Sequence, residues 1–353
     1  MSSRDVLRKI LSVAVQAPSG DNAQPWRFAL SDDTLRIFNV PGGDATLYNF
    51  RQRGSYFAHG ALAENICIAA LAQGFEVSIE PFPGQPNCTA TMAFRPTSPA
   101  HNHLHDAIGK RVTNRKPYDK KPLDPGHVEA LKTAASGDFG ARLELVHERA
   151  AIESLARAIS ANERILMENR QLHDFLFNMI RWSEQEEFER PGLFVKTMEF
   201  PKPVQLLMRF VVRHWGAVQL LNKVGLSKAI RKQSAAVYGA SSALGALVIR
   251  GERDEDFFNA GRAFERVWLT ATNLGMRVQP VTALPYLMQR VRARETESLS
   301  PEHIALIWRE CRTIESALGV SDNEHIAMLF RTGYGAEPTA RSRKLPPVFF
   351  DAE

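Results

Sequence analysis

Apolar residues near the start of the chain fall at Val6, Leu7, Ile10, Leu11, Ala14 and Val15, the spacing of one helical face, with Ser2 and Asp5 placed to cap it. The run "WRFAL" that follows predicts a strand. From Gly60 to Gly74, "GALAENICIAALAQG" predicts a strongly apolar helix closed by a C-cap glycine. "EVSIEPF" and "CTATMAFRP" predict two strands. A polar joint, "HNHLHDAIGK", leads to a second unit, whose first helix, "HVEALKTAA", has Asp124 as N-cap and Pro125 in its first position.

The second unit repeats the first. "SGDNAQPWRF" from Ser19 matches "SGDFGARLEL" from Ser136, 117 residues on. "GALAENICIAALAQGFEV" matches "GRAFERVWLTATNLGMRV", with Gly60, Glu64, Ala70, Gly74 and Val77 facing Gly261, Glu265, Ala271, Gly275 and Val278 at a separation of 201. "MAFR" at Met92 matches "MLFR" at Met328, 236 residues on. Three matches in one order, each on the same kind of element, predict a duplicated module with insertions in the second copy. The larger insertion, about 84 residues from the separations of 117 and 201, lies between the first two matches. The period is too long for a solenoid, so the expected geometry is two modules packed face to face. The first module is placed at residues 1–100 and the second at 101–353, with a lid insertion at about 183–235. The copies differ at one loop: Asn22 faces Phe139, Gln24 faces Ala141 and Pro25 faces Arg142.

Composition changes this picture only a little. At 353 residues, 44% hydrophobic and 24% charged, the chain reads as an ordinary soluble globular protein of about two domain-sized units. Cys67, Cys88 and Cys311 stand alone, which argues against zinc or a disulfide scaffold and for a reducing cytoplasm. "MSSRDVLRKILSVAVQ" mixes charges into its apolar residues, so it does not read as a signal peptide. No run reaches the roughly 18 apolar residues of a membrane span. The net charge of +5 fits either a mildly basic surface or an anionic ligand. Two segments bear on that choice. In "RVTNRKPY", Pro117 and Pro122 forbid helix, and an extended chain puts Arg111, Thr113 and Arg115 on one side, as for a phosphate. Arg341 and Arg343 flank Ser342 in the same way in "TARSRKLPPVFF". A solvated basic linker and a basic tail are the plainer readings of the two. "HNHLH" carries His101, His103 and His105 without the carboxylate or thiolate partners of a metal site, and no nucleic-acid-binding module is visible.

"APSGDNAQPW" resembles the A-P-S-x-x-N-x-Q-P-W signature of the FMN-dependent nitroreductase superfamily. "RVTNR" and "RSRKLP" resemble its two basic flavin-binding segments. Ordinary members place each flavin between two subunits, whereas this chain splits the motifs between its halves, like the single-chain pseudo-dimeric, Acg-like branch. The resemblance implies an α+β nitroreductase-like fold, two tandem degenerate modules forming an intrachain pseudo-dimer with an inserted helical lid. It implies FMN as cofactor and NAD(P)H as electron donor. Arg111, Thr113, Arg341 and Arg343 would hold the phosphate, and Arg115 would lie by flavin N1/O2. Pro18, Ser19, Asn22 and Gln24 would face the ring and ribityl chain. Thr282, Ala283 and Leu284, in "PVTALP", would offer backbone N–H groups to N5 and O4. Thr113 stands where the family usually has serine, and the "PVTALP" loop lacks the glycine common in reductases.

No protein side chain is expected to do the chemistry, which the flavin supplies. Two functions follow: NAD(P)H-dependent reduction of a nitroaromatic, quinone or related small acceptor, or the holding of FMN without turnover. The apolar, basic stretch from Pro191 to Leu226 reads as a lid, as extra helical packing, or as a segment lying on a membrane interface. The lid is favoured because the insertion interrupts the second copy between matched elements. One chain is expected to suffice for function, with further dimerisation left open.

Overall fold

The computed structural model describes residues 3–31, 33–100 and 102–350. The expected cap at Ser2, and His101, lie outside them. Helix α1 (Ser3–Ala14) is followed by β1 (Trp26–Leu30), β2 (Thr34–Asn39), α2 (Arg53–Ala72), β3 (Phe75–Pro81) and β4 (Cys88–Pro96). A short α3 (His105–Ile108) precedes α4 (Pro125–Ala135) and β5 (Ala141–Val146). Then come α5 (Arg149–Ile159), α6 (Ala161–Glu168), α7 (Arg170–Met179), β6 (Ile180–Arg181), α8 (Glu184–Glu189), β7 (Leu193–Phe194), α9 (Lys202–Leu207), α10 (Trp215–Lys223) and α11 (Leu226–Gly239). The chain returns to β8 (Ala243–Ile249), α12 (Asp254–Asn273), β9 (Arg277–Pro280), α13 (Ala283–Arg292), α14 (Pro301–Ala317) and β10 (His325–Gly333).

Two antiparallel four-stranded sheets carry the same topology, β1-β2-β4-β3 and β5-β8-β10-β9. The duplication is therefore a property of the fold. The larger insertion runs from α5 to α11, between β5 and β8, where the first module has a tight turn between β1 and β2. The smaller one is α13 and α14, between β9 and β10.

Strand pairing corrects one match. Ile79 pairs with Met92, whereas Pro280, 201 residues beyond Ile79, pairs with Phe330, making the separation 238 and not 236. A shift of two residues leaves every side chain on its own face, so the hydrophobic pattern tolerates both alignments.

The long helices α2 and α12 hold the halves together, and they cross at the matched glycines. A Cβ on Gly60 would lie 1.8 Å from the Phe258 carbonyl oxygen, and one on Gly261 would lie 1.9 Å from that of Phe57. Phe57 and Phe258 are themselves 201 residues apart, so the crossing is pseudo-symmetric, and only glycine admits so close an approach. Asp124 caps α4 as expected, accepting from the N–H groups of Gly126 and His127. Past β10 the chain crosses back to the first module. Phe28 N–H donates to Val348 O at 2.9 Å, and Phe350 N–H donates to Phe28 O at 3.0 Å, which adds a short parallel edge to β1.

Candidate functional site

The loop between α1 and β1 turns sharply because three of its non-glycine residues adopt left-handed backbone: Asp21 (φ 45°), Asn22 (φ 60°) and Gln24 (φ 52°). Ser19 Oγ braces the turn by accepting from Gln24 N–H at 3.0 Å. The two amides grip the basic segment that arrives from the other half. Asn22 Nδ2 donates to Arg343 O at 2.9 Å and to Gly192 O at 3.2 Å, and Gln24 Oε1 accepts from Leu345 N–H at 2.8 Å. The second copy has Phe139 and Ala141 at these positions and carries no such clamp.

Two chambers meet beside this loop and share Pro18, Ser19, Asp21, Thr113 and Arg115. The larger, about 330 Å³, is lined by Phe57 from α2, by Phe264 and Trp268 from α12, and by Pro280–Ala283 after β9. Its roof is Ile159, Leu166, Phe175, Leu176 and Tyr238, all from the insertion. The smaller, about 90 Å³, is lined by Arg111, Arg341, Ser342 and Lys344, with Asn22 and Thr197.

Positive charge concentrates in the small chamber. The Arg111 guanidinium lies 4.5 Å over the Trp268 ring and 3.3 Å from Glu265, and also donates to Gln16 O. Arg115 donates to Thr197 O at 3.2 Å, and Arg341 to Lys110 O at 2.6 Å. Lys344 Nζ donates to Ala17 O at 2.7 Å; burial, and then Arg111, hold its ammonium well below the usual lysine range. Burial lowers the Arg111 value too. The nearby carboxylates are Asp21, raised by burial against the pull of Arg115, and Glu265, pushed up by burial to about 6. Three arginines and a lysine thus face two carboxyl groups in a partly desolvated site. Asn22 Oδ1 is buried there without a hydrogen-bond partner, and Arg111 Nε is held by its ion pair with Glu265.

The large chamber carries acids instead. Burial and the charge of Asp21 push Asp44 up to about 7, against a lowering hydrogen bond from the Thr46 backbone. Glu163 accepts from the Tyr238 hydroxyl and is raised by burial.

Of the residues expected from sequence, Pro18, Ser19, Thr113 and Arg115 line both chambers, Asn22, Arg111 and Arg341 the small one, and Thr282 and Ala283 the large one. Three do not line either chamber. Gln24 is spent on the C-terminal segment. Leu284 is fully buried in the core, with its carbonyl facing the Cys311 thiol. Arg343 stacks over Phe188 at 4.2 Å, outside the cluster, because the clamp on its carbonyl fixes the segment with Lys344 turned inward. Val281 N–H is also taken, by Leu329 O at 2.8 Å, and Thr282 Oγ1 is bonded to the same residue. The insertion does cover the large chamber, but through residues 159–176 and Tyr238. From the stretch 191–226 only Leu193 and Thr197 reach the site, at its small end. Sequence reasoning missed Asp21 and Lys344, although both lie inside motifs it quoted, and it missed Asp44, Glu163 and Glu265.

The mirror position in the other half is built differently. Arg262 stacks over Phe139 at 5.2 Å, and Arg262 and Arg266 hold Glu64, the counterpart of Glu265, at 3.1 and 2.8 Å.

Two tandem α+β modules thus meet with the candidate site at their junction. Over 186 residues, half of this chain, it is 31% identical to a Mycobacterium tuberculosis protein provisionally named NAD(P)H nitroreductase acg, covering 54% of that protein. A second M. tuberculosis protein, of uncharacterised function, is 28% identical over 338 residues, 95% of this chain and 46% of its own length. The chain therefore spans about half the length of the curated relatives it matches. No family model matches the sequence. Among solved structures, a Bacteroides fragilis nitroreductase with bound FMN aligns at a TM-score of 0.38 and 16% identity, over 69% of this chain and 95% of its own. The FMN-dependent nitroreductase NfnB of Mycobacterium smegmatis, solved in complex with NADPH, aligns at a TM-score of 0.36 and 16% identity, over 66% and 87%.

Proposed function

We propose that the chain is an FMN-dependent oxidoreductase that takes electrons from NAD(P)H and passes them to a small nitroaromatic, quinone or related acceptor. The observation that carries this reading is the basic cluster at the narrow end of an aromatic-lined slot. Basic side chains gathered in this way suit a phosphate dianion, which would favour the charged form of Lys344, and Asn22 Oδ1 is a buried group still lacking a partner. Arg111, Thr113, Arg341 and Lys344 would hold the phosphate, Arg115 would supply a fixed cation between phosphate and ring, and Pro18 and Ser19 would border both. When bound, FMN supplies the hydride chemistry. The chain's own part would be to hold the ring in the chamber lined by Trp268 and the insertion and to exclude water with Phe175 and Leu176. Asp44 holds a proton near neutrality at the wall of the large chamber. We place the module boundary near residue 100 and, given three free thiols, the protein in a reducing compartment.

The roof of insertion residues favours one second reading, that FMN is held and shielded without turnover. Extraction and chromatography of the cofactor test the binding, with one FMN per chain expected because the mirror position has Phe139 and Ala141 in place of the amides and its Arg262 and Arg266 are paired with Glu64. Recovery of FAD, a ratio near two, or no flavin after reconstitution sinks the proposal. Anaerobic addition of NADPH then separates the two readings. Bleaching supports the reductase, and an unreduced flavin supports the shielded form.

A further inference from the structure

From Phe200 to Gly251 the sequence contains no aspartate or glutamate, yet it holds Lys202, Arg209, Arg213, Lys223, Lys228, Arg231, Lys232 and Arg250. Arg231 is committed to Glu310 at 3.0 Å. Among the described residues, Lys202, Arg209, Arg213 and Lys223 form no ion pair. Interleaved with them are Val204, Leu206, Leu207, Phe210, Leu220 and Val224. They are 38%, 56%, 51%, 65%, 66% and 83% exposed, six of the eleven large apolar side chains most exposed among the described residues.

The segment is folded, so this exposure is not that of a loose loop. Its inner side buries Val212 and Val218 against Met167, with Phe177, Trp215 and Ile230 packed around them. His173 Nε2 lies 2.8 Å from Val212 O and fixes the turn between the helices, where the chain passes from α9 through a π-helical turn, Met208–Val212. One side of the segment is thus core and the other is apolar with unpaired cations. Extra helical packing accounts for the inner side alone. An apolar concentration of this kind marks an interaction surface.

The charge selects the occupant. A second copy of the chain would bring cation against cation, which like-charge repulsion opposes. An anionic lipid surface satisfies both features at once. Leu and Phe side chains enter the headgroup boundary, and lysine and arginine stems lie along it with their heads on the phosphates. No described helix is long and apolar enough to cross a membrane, so contact would be from one side. We infer that residues 202–224 dock the protein on the surface of an anionic bilayer. The docking helices rest on α6 and α7, the same helices that supply Leu166, Phe175 and Leu176 to the chamber roof, so the lipid would lie directly behind the site.

The test is co-sedimentation of the full chain with vesicles of phosphatidylcholine alone and of phosphatidylcholine with phosphatidylglycerol. The bound fraction should rise about tenfold with the anionic lipid and fall as salt is added. Leu206→Glu with Phe210→Glu should abolish binding while leaving the melting temperature unchanged, since both side chains are exposed. Lys202→Gln, Arg209→Gln and Lys223→Gln together should remove the preference for anionic lipid. Equal weak binding to both vesicles overturns the inference, and so does undiminished binding by the Leu206→Glu, Phe210→Glu variant. A lipid-free dimer in sedimentation equilibrium that this variant dissociates assigns the surface to a second copy instead, and overturns it as well.

Discussion

Lys344→Met separates the two registers in which the C-terminal basic segment can be read. In the structure Lys344 lines the small chamber, whereas Arg343 lies outside it over Phe188. Methionine keeps most of the stem and removes the charge. Losing one charge-assisted contact to a partly buried phosphate costs about 1.5–3 kcal/mol, or roughly 10- to 150-fold in FMN affinity. Arg343→Ala touches an exposed stacking contact and should stay within about 0.5 kcal/mol. The ligand-free protein should respond in the opposite direction. Burial and then Arg111 disfavour the Lys344 ammonium, with Glu265 opposing and Arg341 adding a smaller push, so removing the amine should leave the apo-protein's melting temperature equal or higher. The assay is titration of FMN into apo-protein followed by flavin fluorescence, with a thermal melt of each variant. An affinity loss for Arg343→Ala as large as that for Lys344→Met would refute the reasoning, because the clamped register would not then be the one that meets the ligand.

Two further substitutions test the interior. Asp44 has a folded value of about 7, above the unfolded carboxylate, so the native state binds the extra proton between about pH 4 and 7 and its stability falls as pH rises through that window. Asp44→Asn should therefore be more stable than the parent by up to about 3–4 kcal/mol near pH 8, with the gap closing near pH 4; a gap constant with pH in paired apo-protein melts refutes it. Gly60→Ala would set a methyl carbon 1.8 Å from Phe258 O and should cost about 1–3 kcal/mol or more, whereas Gly42→Ala, with nothing within 4 Å, should leave the melt unchanged; equal melts for the two variants would remove the close helix crossing as the reason for the glycine.

What the sequence disclosed follows from how locally each feature is encoded. The duplication, the α4 cap and the loop at residues 18–24 are written in contiguous residues and were legible. Strand β8, "ALGALVI", was not separated from the insertion, because a strand buried at every position has no alternation to read. Spacing also misled at Arg343. A two-residue alternation assumes a straight strand, and the segment is instead held by Asn22 and Gln24 with Arg341, Ser342 and Lys344 all inward. Asp44 and Glu163 sit in ordinary local sequence. Only burial and the approach of distant elements make them unusual, which no linear pattern records.

The glycine crossing of α2 and α12 also bears on how such a protein can change over generations. In a pair of identical subunits, any substitution at an interface is made twice, and both pockets inherit it together. Here Gly60 and Gly261 are separate codons, as are Asn22 and Phe139. One half can therefore carry Phe139 beside Arg262 while the other keeps its amides, at no cost to the crossing that joins them. The long excursion between β5 and β8 lies in the half whose loop carries Phe139 and Ala141. Two halves on one chain are thus free to differ, and the roof over the site is made of residues from the second half alone.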